Sequence, residues 1–361
     1  MLGQIADAEM YAGRSDEARR WIDRQQTMLA QLGDRSSASY AGMLRTKGNL
    51  LRREGSNKLP ESKRLLEEAA ALYRARYPND VGYSGTLFFL AQTLRGMGAD
   101  VEAESAANEA VAVAGRSEVS GVEVPNAHSL RGAIRDSIGN LLGAEQDAAT
   151  AAQGYRRTVG EADFLTQQND GLRGMMLMRL GRRDEGLRLI EASGAVLARI
   201  RSGSSTHAAA IERQGAAYLL SGQPQHAAVA FEQARNVWQP RRDELQRTGS
   251  TTGLARALVI LGRYDEAGVL LEEALAIRAQ RDIATLPRAQ VHLQLGELAL
   301  ARGQLELADR ELGRAEQLSA SASRADRARR ALLDALRARV ASLRGDAPAA
   351  MALSRSALQS I

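Results

Sequence analysis

The chain has 361 residues, 44% hydrophobic but only 4% aromatic, with 48 Lys and Arg against 43 Asp and Glu and a formal net charge of +5. It contains no cysteine, which excludes disulfides and thiolate metal sites. No apolar run approaches the roughly 18 residues needed to cross a membrane, and scarce aromatics argue for helices packed by Ala and Leu rather than for sheets, so an all-α protein with no membrane partner is expected, with the cytoplasm as default compartment.

The hexapeptide Gly-Arg-x-Asp-Glu-(Ala/Gly) begins at Gly13 and returns at Gly181 and Gly262, intervals of 181 − 13 = 168 and 262 − 181 = 81 residues. These are about four and two units of a period near 41, the mark of a solenoid. Taken in chain order, each unit predicts a helix, a turn glycine and a second helix. In the first, Ala6 precedes Gly13 by seven residues and Ala18 follows it by five. In the second, Gly48 precedes Gly55, which leads through a two-residue insertion to Ser62, Leu66 and Ala69. In the third, Ala91 precedes Gly98, followed by Ala103, Ala107 and Ala110.

The stretch from Gly115 to Gly160 breaks the rhythm. Residues 121–126 read as a loop with Pro125 and Asn126 as a helix start, Gly143 serves as the turn glycine ahead of Ala148, Ala152 and Tyr155, and Asp136 occupies the place of the missing small residue. An irregular junction over 115–160 is therefore expected. The pattern then resumes with Gly174 and Gly181, Gly215 and Gly222, Ala255 and Gly262, Gly296 and Gly303, and Ala338 and Gly345, which makes about nine units over 1–361. Apolar residues at helical spacing on both sides of a glycine describe two amphipathic helices, the glycine supplying the left-handed conformation that ends the first. The Asp-Glu pairs fall in the first turn of the second helix, where the dipole favours carboxylates. Their recurrence gives them a structural reason and argues against acid/base catalysis.

Small residues seven before and five after the turn let two helices approach closely. This arrangement resembles the tetratricopeptide repeat family along essentially the whole chain, most clearly at Ile211, Gly215, Tyr218, Gly222, Ala227, Phe231 and Ala234, with Pro240 near the family's helix-ending proline. The usual family period is about 34 residues, and units of about 40–47 also occur in HEAT and armadillo arrays. The Gly and Ala spacing favours the long-repeat subgroup that includes kinesin light chains, although its asparagine pairs and His-Pro dipeptide are missing. The resemblance implies a right-handed superhelical solenoid that binds a protein or peptide in its concave groove. It also implies attachment, in bacterial signalling proteins, to a kinase, cyclase or DNA-binding domain. The short first helix and the apolar stripe Leu353, Ala357, Leu358 and Ile361 read as uncapped ends of a longer protein, open to end-to-end self-association.

In such a fold the positions ten, six and three residues before the turn glycine point along the groove. These are Arg45, Asn49 and Arg52 in the second unit and Phe88, Gln92 and Arg95 in the third. Guanidinium and amide groups of this kind grip carboxylates bidentately, and one Arg-x3-Asn pair matches the family's carboxylate clamp while its lysines are absent. Farther along, Gly171, Met175 and Met178 would form a soft apolar floor, followed by Glu212, Thr252, Arg256, Leu293 and Glu297. A sensor of a small signal molecule is a second reading. A third is nucleic-acid binding through Arg324, Arg327, Arg329, Arg330, Arg337, Arg339 and Arg344, disfavoured because no aromatics are interleaved for stacking. His292 reads as a packing residue, and His128, His207 and His226 as exposed. No phosphate loop, His-Glu-x-x-His or Gly-x-Ser-x-Gly elbow occurs, so no catalytic residue, cofactor or metal is expected.

Overall fold

A computed structural model of the chain describes residues 2–116, 121–239, 244–280, 285–319 and 327–359, and among them forms eighteen α-helices and no strand. The helices come in pairs: α1 (Leu2–Tyr11) with α2 (Ser15–Gln31), α3 (Ala38–Glu54) with α4 (Leu59–Arg76), α5 (Val81–Gly96) with α6 (Asp100–Ala114), and α7 (Glu123–Ser137) with α8 (Leu141–Thr158). The series continues with α9 (Phe164–Arg179) and α10 (Arg183–Ile200), α11 (Ser205–Leu220) and α12 (Pro224–Trp238), and α13 (Glu244–Ile260) and α14 (Tyr264–Gln280). It ends with α15 (Thr285–Ala301) and α16 (Leu305–Ser319), then α17 (Arg327–Leu343) and α18 (Ala347–Gln359). Two compact units result, Met1–Glu161 and Ala162–Ile361. Pro240, Arg324 and Ile361, and the side chain of Arg327, lie outside what is described.

The turn chemistry is common to the pairs. Gly13, Gly98, Gly181, Gly222, Gly262, Gly303 and Gly345 all adopt φ between 69° and 87°, a region that only glycine enters without strain. The residue after each glycine donates its N–H back to the first helix, as in Arg14 to Glu9 (2.9 Å), Arg182 to Leu177 (2.9 Å) and Gln223 to Tyr218 (2.8 Å), which satisfies the last free carbonyls of that helix. Gly55 is the exception: its φ is 150°, and a 3-10 turn over Ser56–Lys58 absorbs the two-residue insertion. Asp16 and Glu17, Asp184 and Glu185, and Asp265 and Glu266 occupy first turns of α2, α10 and α14. In two of the three hexapeptides the arginine closes the motif, Arg182 pairing with Glu185 at 2.5 Å and Arg263 with Glu266 at 2.6 Å, whereas Arg14 pairs with Glu9 of α1.

The small residues lie where paired helices cross. Ala6 and Ala18, Ala91 and Ala103, and Ala255 and Ala267 are all fully buried. A Cβ placed on Gly48 would come within 2.7 Å of Leu66, one on Gly174 within 2.7 Å of Ile190, and one on Gly296 within 2.7 Å of Leu312. Such distances lie inside van der Waals contact, so these positions admit only glycine unless the partner moves.

The fourth pair departs from the sequence-based expectation. Its turn glycine is Gly139, with φ 85°, not Gly143. Gly143 lies in the first turn of α8, where its N–H is capped by Asn140 Oδ1 at 3.0 Å. With Gly139 in place the spacings become 139 − 98 = 41 and 181 − 139 = 42, and Ala144 follows five residues later, buried. The small residue seven before the turn is Gly132, whose Cβ would meet Asp147 Cβ at 3.1 Å, so Asp136 replaces nothing. The irregularity over 115–160 came from taking the second of two glycines four residues apart, since either one puts alanines on the α8 face.

Within each unit the second helix of a pair packs on its own first helix and on the first helix of the next pair, and successive first helices also touch. α3 lies against α1 and α5; α11 lies against α9 and α13. The first helices therefore form a row in each unit.

Candidate functional site

In the first unit the row carries the basic and amide residues singled out from the sequence. Arg45 reaches from α3 to α1, where its Nη2 is 3.3 Å from Asp7 Oδ2, and toward α5, where a Cβ on Gly85 would lie 3.6 Å from its Nη1. Burial pushes the Asp7 carboxyl above the usual carboxylate range, while Arg45 opposes the shift. Asn49 is only 2% exposed and accepts a hydrogen bond from Arg52 Nη2 at 2.9 Å. The Arg52 guanidinium also lies 5.9 Å from the centroid of the Phe89 ring, and burial, followed by repulsion from Arg53, lowers its pKa. The Nε atoms of Arg45 and Arg52 are buried without a partner.

Arg45, Asn49 and Arg52 thus share one helix, each with a contact inside the unit. Phe88 and Gln92 are half-buried on α5, and Arg95 is exposed at its end. Phe88 meets Phe89 edge-to-face at 5.5 Å. In the second unit Met175 is half-buried against a core of Met178, Ile190 and Ala217, so Met178 is core rather than floor. Arg256 is exposed on α13, whereas Thr252 and Leu293 are buried.

The histidines also require correction. His128 is not exposed: its Nδ1 is 2.8 Å from Asp147 Oδ1, inside a network in which Arg131 and Arg135 hold the same carboxylate at 2.6 and 2.9 Å. Asp147 is 2% exposed. Burial alone would raise its pKa, but the hydrogen bonds from His128 and Arg131 and the charges of both arginines outweigh it and the pKa falls. His207 is half-buried and its pKa is lowered by burial. His226 is exposed beside the Tyr218 ring. His292 is buried as expected, with Nδ1 2.7 Å from Glu311 Oε2. In the basic C-terminal stretch Arg337 and Arg344 are matched to acids of α16, Glu316 at 2.5 Å and Asp309 at 3.0 Å, which leaves less free positive charge than the sequence implies.

Sequence reasoning passed over one further feature. Beside α11 an open cavity of about 360 Å³ is lined by Gln168, Leu197, Thr206, Glu212, Arg213 and Trp238, among others. Its arginine lies nine residues before Gly222, adjacent to a groove position, and it rests above Gly171 of α9. A Cβ on Gly171 would come within 2.6 Å of Arg213 Nη1. An arginine facing a glycine of the neighbouring first helix was the available signal.

No family model and no curated relative matches the sequence. Solved structures with the same fold do. A Rap protein complexed with competence and sporulation factor superposes with a TM-score of 0.73 at 13% identity, covering 99% of this chain and 96% of that one. The Rap conjugation gene regulator of the plasmid pLS20, in complex with the Phr* peptide, gives a TM-score of 0.63 at 16% identity, with 89% and 94% covered. A tetratricopeptide repeat protein from Parabacteroides merdae gives 0.54 at 16% identity, with 77% and 93% covered. The chain is a tetratricopeptide-like helical repeat array. Among its described residues no helix is long and apolar enough to cross a membrane.

Proposed function

We propose that this chain is a non-catalytic repeat module that binds a protein or peptide segment along its row of first helices, as the scaffold or sensory part of a signalling protein. The observation that carries the reading is the pair of half-buried guanidiniums on α3, Arg45 and Arg52, the second lying 5.9 Å from the centroid of the half-buried Phe89 ring of α5. Partly desolvated arginines next to an aromatic are typical of contact surfaces. Two structures that share the fold along nearly their whole length are complexes, one with competence and sporulation factor and one with the Phr* peptide, which supports a peptide-sized partner.

The test is selection of binders from a random peptide library on the intact chain, followed by affinity measurements with Arg52→Gln and Arg95→Glu variants whose circular dichroism matches wild type. A loss of tenfold or more in both variants supports binding along the first helices. Binders with unchanged affinity for both, crosslinking to second-helix residues such as Arg64, refute it.

A further inference from the structure

Arg213 has the arrangement of a receptor waiting for an anion. Its neighbour Glu212 is already engaged, Oε1 accepting from Trp238 Nε1 at 3.0 Å and from Ser250 Oγ. Among the described residues Arg213 itself makes no hydrogen bond or ion pair, and of their charges Glu212 is the one that acts on it. Burial lowers its pKa, yet a guanidinium does not give up its proton in a protein, so the cost of removing it from water persists in the free chain. Gly171 keeps open the space that the guanidinium fills.

The cavity in front of it, about 360 Å³, has room for roughly a dozen waters at about 30 Å³ each, enough for a short acidic side chain or a chain terminus. A planar fork of N–H donors matches a carboxylate or a phosphate. The Glu212 carboxylate next to it penalises a dianion more than a monoanion, and Leu197 and Trp238 offer an apolar wall to the carbon stem. We infer that the cavity beside α11 is a carboxylate subsite, in which Arg213 receives an acidic group of a peptide lying along the first helices of this unit. This deepens the peptide-binding reading and rests on it.

Trp238 lines the cavity, and the only other tryptophan of the chain is Trp21, so Trp238 emission in a Trp21→Phe background reports occupancy. The probes are acetyl-Ala-Ala-Ala with a free C-terminus, acetyl-Ala-Asp-Ala-amide, its Asn counterpart, and inorganic phosphate. At least one carboxylate probe is expected to give a saturable change, with the free C-terminus and the Asp side chain distinguished by which is tighter, and the Asn peptide is expected to give none. Arg213→Met should weaken the carboxylate probe at least tenfold while raising the melting temperature by about 2–4 °C, because an unpaired, half-buried cation is replaced by an apolar chain of similar length. Gly171→Ala should weaken it with the charge retained, by displacing the guanidinium.

The inference is overturned if no carboxylate probe saturates, if Arg213→Met binds as wild type does, if phosphate binds more tightly than both carboxylates, or if Arg213→Met lowers the melting temperature. Library binders lost by Arg52→Gln but kept by Arg213→Met would remove this subsite and leave the peptide-binding reading standing; binders lost by neither would remove both.

Discussion

Phe231 is held between two glycines, and one substitution there has a sign opposite to the same substitution elsewhere. A Cβ on Gly253 of α13 would lie 2.4–2.6 Å from three atoms of the Phe231 ring, and one on Gly215 of α11 would lie 2.9–3.0 Å from the opposite ring edge. The ring is 5% exposed, so a push from Gly253 drives it toward Gly215 and relief on one side tightens the other. Gly→Ala inside a helix gains about 0.8–1 kcal/mol of propensity, whereas overpacking costs about 1–3 kcal/mol. The Gly253 contact belongs at the upper end of that range, which leaves a net loss of about 2 kcal/mol for Gly253→Ala and about 1 kcal/mol for Gly215→Ala. Gly313, inside α16, has nothing within 4 Å of its Cβ site, so Gly313→Ala should gain the full propensity of about 0.8–1 kcal/mol. Urea titrations followed by circular dichroism measure all three. Adding Phe231→Leu to Gly253→Ala should recover part of the loss, although Phe231→Leu alone is destabilising. If Gly253→Ala stabilised the protein as Gly313→Ala does, the close crossing of α11, α12 and α13 would be refuted.

Asp147→Asn should cost about 3–5 kcal/mol, because it leaves Arg131 and Arg135 facing each other without their carboxylate. The Asp147 pKa is depressed in the folded state, so its contribution is present above the unfolded value of about 3.9 and is lost as pH falls through the folded value; the variant should show a flatter acid limb in melting temperature against pH. Tyr83, pushed up to about 12 by burial and by its hydrogen bond to Glu109, should form phenolate well above the ordinary tyrosine range of about 10 in an absorbance titration against a Tyr83→Phe variant. Stability from Tyr83 is complete below the unfolded pKa of about 10 and declines as pH rises toward the folded one. Arg263→Ala removes an exposed pair with Glu266 and should leave the urea midpoint unchanged, since solvent and salt screen such pairs.

The helix pairs, their turns and their crossing residues were legible because each rests on a backbone or volume requirement that only Gly, Ala or Ser meets. Gly139 was missed because Gly143 satisfies the same side-chain pattern one helical turn later, and only the backbone shows which glycine needs positive φ. That displacement also concealed His128, which lies eleven residues before Gly139 just as His292 lies eleven before Gly303, each facing an acid eight residues after its glycine. For Arg45, Asn49 and Arg52 the sequence placed the residues on one helix but could not show that Asp7 and Asn49 engage the two guanidiniums. For Arg213 the spacing could place an arginine opposite Gly171 but could not show that it has no partner, which is a tertiary property.

The two His–acid pairs occupy a crossing that is apolar in the second pair of helices, where Leu44 and Leu65 hold the corresponding positions at 4% exposure each. Leucines there bury apolar area at no desolvation cost, whereas His292 and Glu311 must give up water before they meet. We infer that the His–acid crossing serves register: in an array of interchangeable pairs, a histidine that matches a hydrogen-bonding acid disfavours packing against the wrong second helix. The double variant His292→Leu/Glu311→Leu should then match or exceed wild-type stability, by about 0–4 kcal/mol, while His292→Leu alone, which leaves the buried Glu311 with only the exposed Arg314 as its partner, should lose about 1–3 kcal/mol. Refolding should separate the stability and register terms, with the double variant showing more of a slow or aggregating fraction after dilution from urea. A double variant as unstable as the single one would mean that the pair contributes net stability, and the register argument would fail.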